Sequence, residues 1–355
     1  MLLKTCTFVV FCSINFFIGL LGITPHQEPT TSNLKFDIYD VIYLEKNYGL
    51  KGSYRAKRKF NRIYKGVSAN FTPKNEYTLD DAKYFFLLVA NELKLNNVSP
   101  SNNYFITPEL AEEHSYLDCD NFSLLYVSIA SRLGLPVAPI YVKNHVFVRW
   151  YFDNGTYYNW DSRAGVHKDD SYYVSAFNVS SHAKHNGIYL SAIPLENALA
   201  PLYVDFAIDK YENDDLSEAL YFTNKALSVD SSFINAHFHK AKILEAKGDF
   251  EGAIRSYNLA RSLDSLDTRY YYRKGALLIK EEYFTQAILI LKKLLSFDNS
   301  ELNAVPMLID ANLSMGNTDE ARALFENLYE VGVIQANPYI LDARSIFRKH
   351  GMNID

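Results

Sequence analysis

The sequence predicts an α+β domain with an antiparallel sheet, followed by an all-α solenoid. Three observations carry this. Leu124, Leu125, Val127, Ile129, Ala130 and Leu133 recur at helical spacing before Gly134 and Pro136 stop the helix. Directly afterwards the pattern turns to β-branched and aromatic residues around an Asp153-Asn154-Gly155-Thr156 turn. In the last third, alanine returns every 34 residues at 219, 253, 287 and 321. A chain of 355 residues with 48% hydrophobic content has room for two or three globular units. Its net charge of −5 gives no sign of nucleic-acid binding.

Residues 1–23 contain an uncharged apolar stretch, 5 to 23, behind Lys4. It reads as a signal peptide or an N-terminal membrane anchor, and either places the body outside the cytoplasm, periplasmic or secreted. Residues 24–36, with Pro25, Pro29, Thr30, Thr31 and Ser32, read as a linker. The α+β domain is assigned to 37–198 and the solenoid to 199–355. Arg55 to Lys65 is a basic run, read as a solvated helix face, with anionic lipid near the anchor as the alternative. Thr78 to Asp81 resembles a capping box opening an apolar helix. Thr107-Pro108-Glu109 reads as another helix start, with proline at its first position.

The stretch Ser115-Tyr116-Leu117-Asp118-Cys119-Asp120-Asn121-Phe122 predicts a helix beginning at Cys119 with Asp118 as N-cap. The thiol then sits in the first turn, where unpaired N–H groups and the macrodipole favour a thiolate. Asp118 and Asp120 oppose this by raising the thiol pKa, and a packed core thiol is the competing reading. With Cys6 and Cys12 in the leader, Cys119 is the single cysteine of the exported body. An unpaired thiol in an oxidising compartment asks for a reason.

Ile140, Val142, Val146, Val148, Trp150 and Phe152 read as one strand and Tyr157 to Trp160 as the next, with His145 on the first and Asp161 ending the second. A two-residue Asn154-Gly155 turn pairs positions summing to 309 and puts His145 and Asp161 on opposite faces. A three-residue loop centred on Asn154, with Gly155 left-handed, shifts the sum to 308 and sets Asp161 diagonal to His145 on one face. The three-residue loop is therefore predicted. A cysteine at a helix start, then a histidine and an acid on successive strands, supplies a nucleophile, its base and the group that orients the base.

Asp118-Cys119-Asp120-Asn-Phe-Ser-Leu-Leu, Leu133-Gly134-Leu135-Pro136-Val137, Asn144-His145-Val146-Phe147-Val148 and Tyr158-Asn159-Trp160-Asp161-Ser162-Arg163 together resemble the core motif set of the transglutaminase-like superfamily, which shares the papain-like cysteine, histidine, acid arrangement. The match spans about residues 75 to 195. By position the resemblance implies Cys119 as nucleophile, His145 as general base and acid, and Asp161 as orienting carboxylate. The Cys119 backbone N–H is the oxyanion donor, with Tyr104 or His114 as its side-chain partner. The family includes members that have lost activity, so two functions are carried forward. One is an exported acyl-transfer enzyme, an amide hydrolase or crosslinker; the other is a non-catalytic polypeptide-binding scaffold with a relict domain.

In the repeat, a polar turn holding Asp214, Gly248, Glu282 or Gly316 lies five residues before each alanine. Ala241 and Gly275 supply a small residue in the preceding helices, and Ile309 departs from it. This pattern resembles the tetratricopeptide repeat, in four units closed by a helix ending near His350. The resemblance implies a protein or peptide partner held by the solenoid, beside a membrane tether through 5–23. Metal binding by Cys119 with His145, His114 or His167 lacks any paired ligand spacing, no glycine loop cradles a phosphate, and no cofactor is called for. The Asn-x-Ser/Thr triplets, Asn121 among them, are read as chance.

Overall fold

The computed structural model describes residues 36–103, 105–333 and 338–354. The predicted leader and most of the linker lie outside the described residues. Three helices open the domain: α1 (Ile38–Tyr48), α2 (Ser53–Asn70) and α3 (Leu79–Leu95). Thr78 caps α3 in a reciprocal box with Asp81, as its sequence predicts. Along α2, Arg55, Arg58, Arg62 and Lys65 are solvent-facing. Lys59 departs from that reading. It is buried, and its ammonium donates to the Glu112 and Glu113 carbonyls and to Ser115 Oγ.

Strand β1 (Val98–Pro100), the short helix α4 (Ile106–Ala111) and strand β2 (Ser115–Leu117) follow, with β1 and β2 parallel. The helix α4 starts at Ile106, ahead of the predicted Thr107-Pro108. Its cap comes from far away in sequence: the buried Glu45 carboxylate accepts from the Ile106 N–H at 2.8 Å and the Thr107 N–H at 2.5 Å. Two orphan donors are satisfied, and helical geometry begins two residues ahead of the Pro108 start that local sequence implies.

Helix α5 (Cys119–Arg132) begins at the cysteine, with Asp118 accepting from the Asn121 N–H at 3.0 Å and Gly134 left-handed just past its end. It packs on a three-stranded antiparallel sheet in the order β3 (Val137–Val142), β4 (His145–Tyr151), β5 (Tyr157–Trp160). The single strand predicted across 140 to 152 is in fact two. A tight turn at Lys143-Asn144 breaks it, with Asn144 at φ 57°, a left-handed conformation asparagine tolerates.

Between β4 and β5 the pairs are Val148 with Trp160 and Tyr151 with Tyr157, the 308 register. Phe152 and Thr156 close a loop of Asp153, Asn154 and Gly155, and Gly155 sits at φ 76°. One face of the sheet buries Val148, Trp150 and Trp160 against α3 and α5. Trp150 meets Phe85 and Phe86 edge-on at 5.6 and 6.1 Å. The other face buries Ile140, Val142 and Phe147 against Tyr173 of α6 (Asp170–Ala176) and Ala183 of α7 (Ser181–His185). With both faces covered, the strands read as nearly continuous apolar runs.

The solenoid pairs α8 (Ala200–Glu212) with α9 (Leu216–Val229), α10 (Ile234–Ala246) with α11 (Phe250–Leu263), α12 (Thr268–Lys280) with α13 (Phe284–Phe297), and α14 (Ala304–Ser314) with α15 (Thr318–Val333); α16 (Tyr339–Lys349) closes it. The four periodic alanines are fully buried. The turn residues Asp214, Gly248, Glu282 and Gly316 are all left-handed, at φ 60° to 79°. A methyl group on Gly275 would lie 2.5 Å from Leu291 Cδ2, a side chain with no exposure of its own. Gly275→Ala is therefore expected to lower stability in urea unfolding by about 1 kcal/mol, because overpacking at ~1–3 kcal/mol outweighs the ~1 kcal/mol that alanine gains in helix propensity.

The two parts share core. Leu202 and Phe206 of α8 join the domain's main cluster, and Phe206 stacks on Tyr48 at 4.0 Å. Ile234 and Ala260 of the solenoid join the cluster on the sheet's second face.

Candidate functional site

The start of α5, the start of β4 and the end of β5 converge. Ser123, one helical turn beyond Cys119, donates to the Val146 carbonyl at 3.2 Å and lies 2.7 Å from Ser162 Oγ. These bonds fix the helix start against β4 and against the segment that follows Asp161. Helical spacing puts Ser123 on the face of Cys119, a signal present in the sequence once Cys119 is singled out.

His145 and Asp161 meet. His145 Nε2 lies 3.0 Å from Asp161 Oδ2, with both side chains about one-tenth exposed. This is the diagonal contact that the 308 register allows. The ring also lies over Phe177, centroids 5.3 Å apart and planes 4° from parallel, which fixes its tilt. Burial raises Asp161, but bonds from His145 and from the Ala164 N–H at 3.0 Å outweigh it and hold the carboxyl below its ordinary range.

Cys119 is partly buried and free. Its Sγ bonds to Asp120 Oδ1 at 3.3 Å and receives the Val146 N–H; among the described residues, no hydrogen bond joins it to the His145 ring. The thiolate expected from the helix start is not favoured here. Burial, then Asp120 and Asp118, push the thiol well above its ordinary range, outweighing the Val146 N–H. Burial and Asp120 raise Asp118 to about 7, and burial raises Asp120 as well.

A further carboxylate was out of reach of sequence reasoning. Asp205, on the first solenoid helix, faces Asp118, Asp120 and Glu45 and is itself raised by burial and by these neighbours. Tyr141 of β3, partly buried, is raised too, by its burial first and then by the charges of Asp120 and Asp205. The solenoid therefore adds a carboxylate to the acidic group formed by Asp118 and Asp120. Of the two side chains considered for an oxyanion donor, His114 is exposed and Tyr104 lies outside the described residues. His167 stacks on Tyr158 and bonds to the Asn159 carbonyl at 2.7 Å. Among the described residues no group of three or more His, Cys, Asp or Glu side chains is placed to hold a metal ion, and no helix is long and apolar enough to cross a membrane.

The arrangement combines an oriented imidazole with a protonated thiol that is not bonded to it. Such a site has the parts for acyl transfer but not the ion pair that would start it.

A tetratricopeptide repeat family model matches residues 234–265 and 268–301, the α10–α11 and α12–α13 pairs. No curated protein matches in sequence. Among solved structures, the chain is similar to YrrB, described as a TPR protein with an unusual peptide-binding site, at 22% identity over 42% of this chain and 76% of that one, TM-score 0.34. It is similar to Pseudomonas aeruginosa pilF at 18% identity over 44% and 71%, TM-score 0.38. A third likeness, to menin, described as revealing the binding site for the Mixed Lineage Leukemia protein, covers 90% of this chain and 89% of that one at 13% identity and TM-score 0.36.

Proposed function

We propose that this chain is a polypeptide-binding protein in which the tetratricopeptide solenoid recognises a protein or peptide and the transglutaminase-like domain serves as its platform. The observation that carries it is the stacked array of helix pairs around Ala219, Ala253, Ala287 and Ala321, two pairs of which match the repeat model. Such arrays offer a long surface that binds other chains. Burial and the two neighbouring aspartates raise the Cys119 thiol and so favour its protonated form, which supports a platform rather than a nucleophile. The apolar stretch at 5–23 supports work outside the cytoplasm, with the chain tethered or secreted.

One observation favours a second reading, a thiol acyltransferase or hydrolase. The Asp161 contact occupies His145 Nε2 and leaves Nδ1 to take the thiol proton. With the thiol brought to that nitrogen, Cys119 would attack an amide or ester carbonyl, the imidazolium would protonate the departing amine or alcohol, and the acyl group would pass from sulfur to water or an amine, restoring the thiol.

Iodoacetamide alkylation of Cys119 against pH, in the chain and in its His145→Ala variant, separates the two. The binding reading expects slow modification that rises only above the ordinary thiol pKa of about 8.5 and does not change with His145. Fast modification at pH 6, lost in the variant, overturns it in favour of the enzyme.

A further inference from the structure

Where the solenoid meets the sheet there is a cavity of about 280 Å³. Four parts of the chain wall it: the end of β3 with the Lys143-Asn144 turn, the 186–194 segment, Asn197 with the first residues of α8, and the turn leading into α10. The volume is at the small end of ligand pockets and suits one or two residues of a polypeptide.

Its polar chemistry is set by a residue outside it. Arg269 Nη1 donates to Asn144 Oδ1 at 2.7 Å and to Asn235 Oδ1 at 3.1 Å. A guanidinium only donates, so it fixes which way both amides point, and both keep their NH₂ groups for other acceptors. The two asparagines come from different parts, the hairpin turn and the first residues of α10, and both line the cavity. This wall thus offers a pair of neutral donors suited to carbonyl oxygens.

The charge balance argues against a carboxylate ligand. Lys143 faces Asp264 at 4.0 Å and Asp267 at 3.8 Å, Arg269 grips Asp267 at 2.6 Å, and Asp230 adds one more negative group on the solenoid side. Two cations against three carboxylates leave the surroundings slightly negative. The rest of the wall mixes apolar side chains, Ile188, Ile193, Pro201 and Phe233, with the uncharged polar Asn186, Ser191, Asn197 and Ser232. Neutral donors beside a patch of apolar side chains match an uncharged, extended peptide segment that presents its backbone carbonyls and one apolar side chain.

We propose that this cavity between sheet and solenoid is a peptide-binding site, in which Asn144 and Asn235 take the carbonyls of an uncharged segment and Phe233 and Ile193 take its apolar side chain. The proposal rests on the polypeptide-binding reading above and places the site away from the solenoid's other depressions, such as that formed by Tyr272, Met307 and Tyr339.

A displayed library of random dodecapeptides, selected on the full chain, provides the probe, with affinities of the enriched peptides then measured by fluorescence polarisation. Asn235→Asp keeps an oxygen for Arg269 but replaces the donor with a repelling carboxylate. Ser232→Trp, at an exposed position, closes the mouth without touching the core. The proposal expects uncharged apolar sequences to be enriched and both variants to weaken binding at least tenfold, with Tyr272→Ala unchanged. Binding that Tyr272→Ala abolishes and the two cavity variants leave intact overturns the site while the polypeptide-binding reading stands. No enriched peptide at all overturns both.

Discussion

Arg269→Ala is expected to lower the stability of the folded chain by about 3 kcal/mol, the low end of the range for removing one partner of a buried ion pair, because Asp267 is buried while Arg269 itself is about a quarter exposed. Asp267 is 1% exposed and Asp264 fully buried. Arg269 reaches Asp267 with Nε at 3.0 Å and Nη2 at 2.6 Å, a fork that a point charge does not reproduce. Burial raises Asp267, yet Arg269 and Lys143 more than reverse this and keep it below its ordinary range. Without the guanidinium, two buried carboxylates share Lys143 alone, at 3.8 and 4.0 Å. Asn144 loses its bond as well, and with it the solenoid's grip on the turn that leads into His145. Urea unfolding at pH 7 measures the loss. Arg269→Lys should recover part of it. Asp267→Ala combined with Arg269→Ala should cost less than the two single changes added together, because the double variant no longer leaves the buried Asp267 carboxylate without its guanidinium. A single variant within 1 kcal/mol of the parent would show that the cluster contributes no such stability.

That cluster marks the boundary of what the sequence discloses. The hairpin register was legible because its causes are local: strand periodicity fixes the faces, and the Asn154-Gly155 pair limits the loop to two geometries, of which one lets His145 meet Asp161. The start of α5 was legible for the same reason, since Asp118 caps the helix from the adjoining position. The solenoid announced itself through small residues and left-handed turn positions that recur at one period. What escaped came from afar. Glu45 caps a helix 61 residues on, Arg269 reaches Asn144 across 125 residues, and Asp205 joins the carboxylates around Cys119 from the solenoid. No window of local sequence contains either member of such a pair together with its partner. The thiol shows the consequence. Read locally, Cys119 has the advantages of a helix start; the fold surrounds it with acids and burial that reverse the balance.

Glu45→Gln should flatten the pH dependence of stability between pH 4.5 and 7. The Glu45 carboxyl is fully buried, and burial lifts it from 4.5 to about 7 in spite of the Thr107 and Ile106 bonds. Because the folded state then binds the proton more tightly than the unfolded chain, Glu45 adds stability that is complete below about 4.5 and is lost as pH rises through 7. The span between those two values corresponds to ~3 kcal/mol. Asp118, raised to about 7, acts in the same direction, and Asp205 is raised partly by Glu45 itself. His239 acts oppositely: burial lowers it to about 3, so it is neutral in the fold and withdraws stability as pH falls below 6.5. The parent's own pH profile therefore mixes opposing groups. Subtracting the profile of Glu45→Gln removes most of them, since the variant retains His239 and Asp118 and loses only the titration at 45 with its effect on Asp205. The glutamine amide brings an NH₂ against one of the two backbone donors, a pH-independent cost of ~1–3 kcal/mol. Parent and variant should accordingly lie closest near pH 8 and diverge in the parent's favour toward pH 4.5 in urea unfolding. Parallel profiles across that range would mean that Glu45 keeps an ordinary proton affinity, with its two backbone N–H bonds compensating fully for burial.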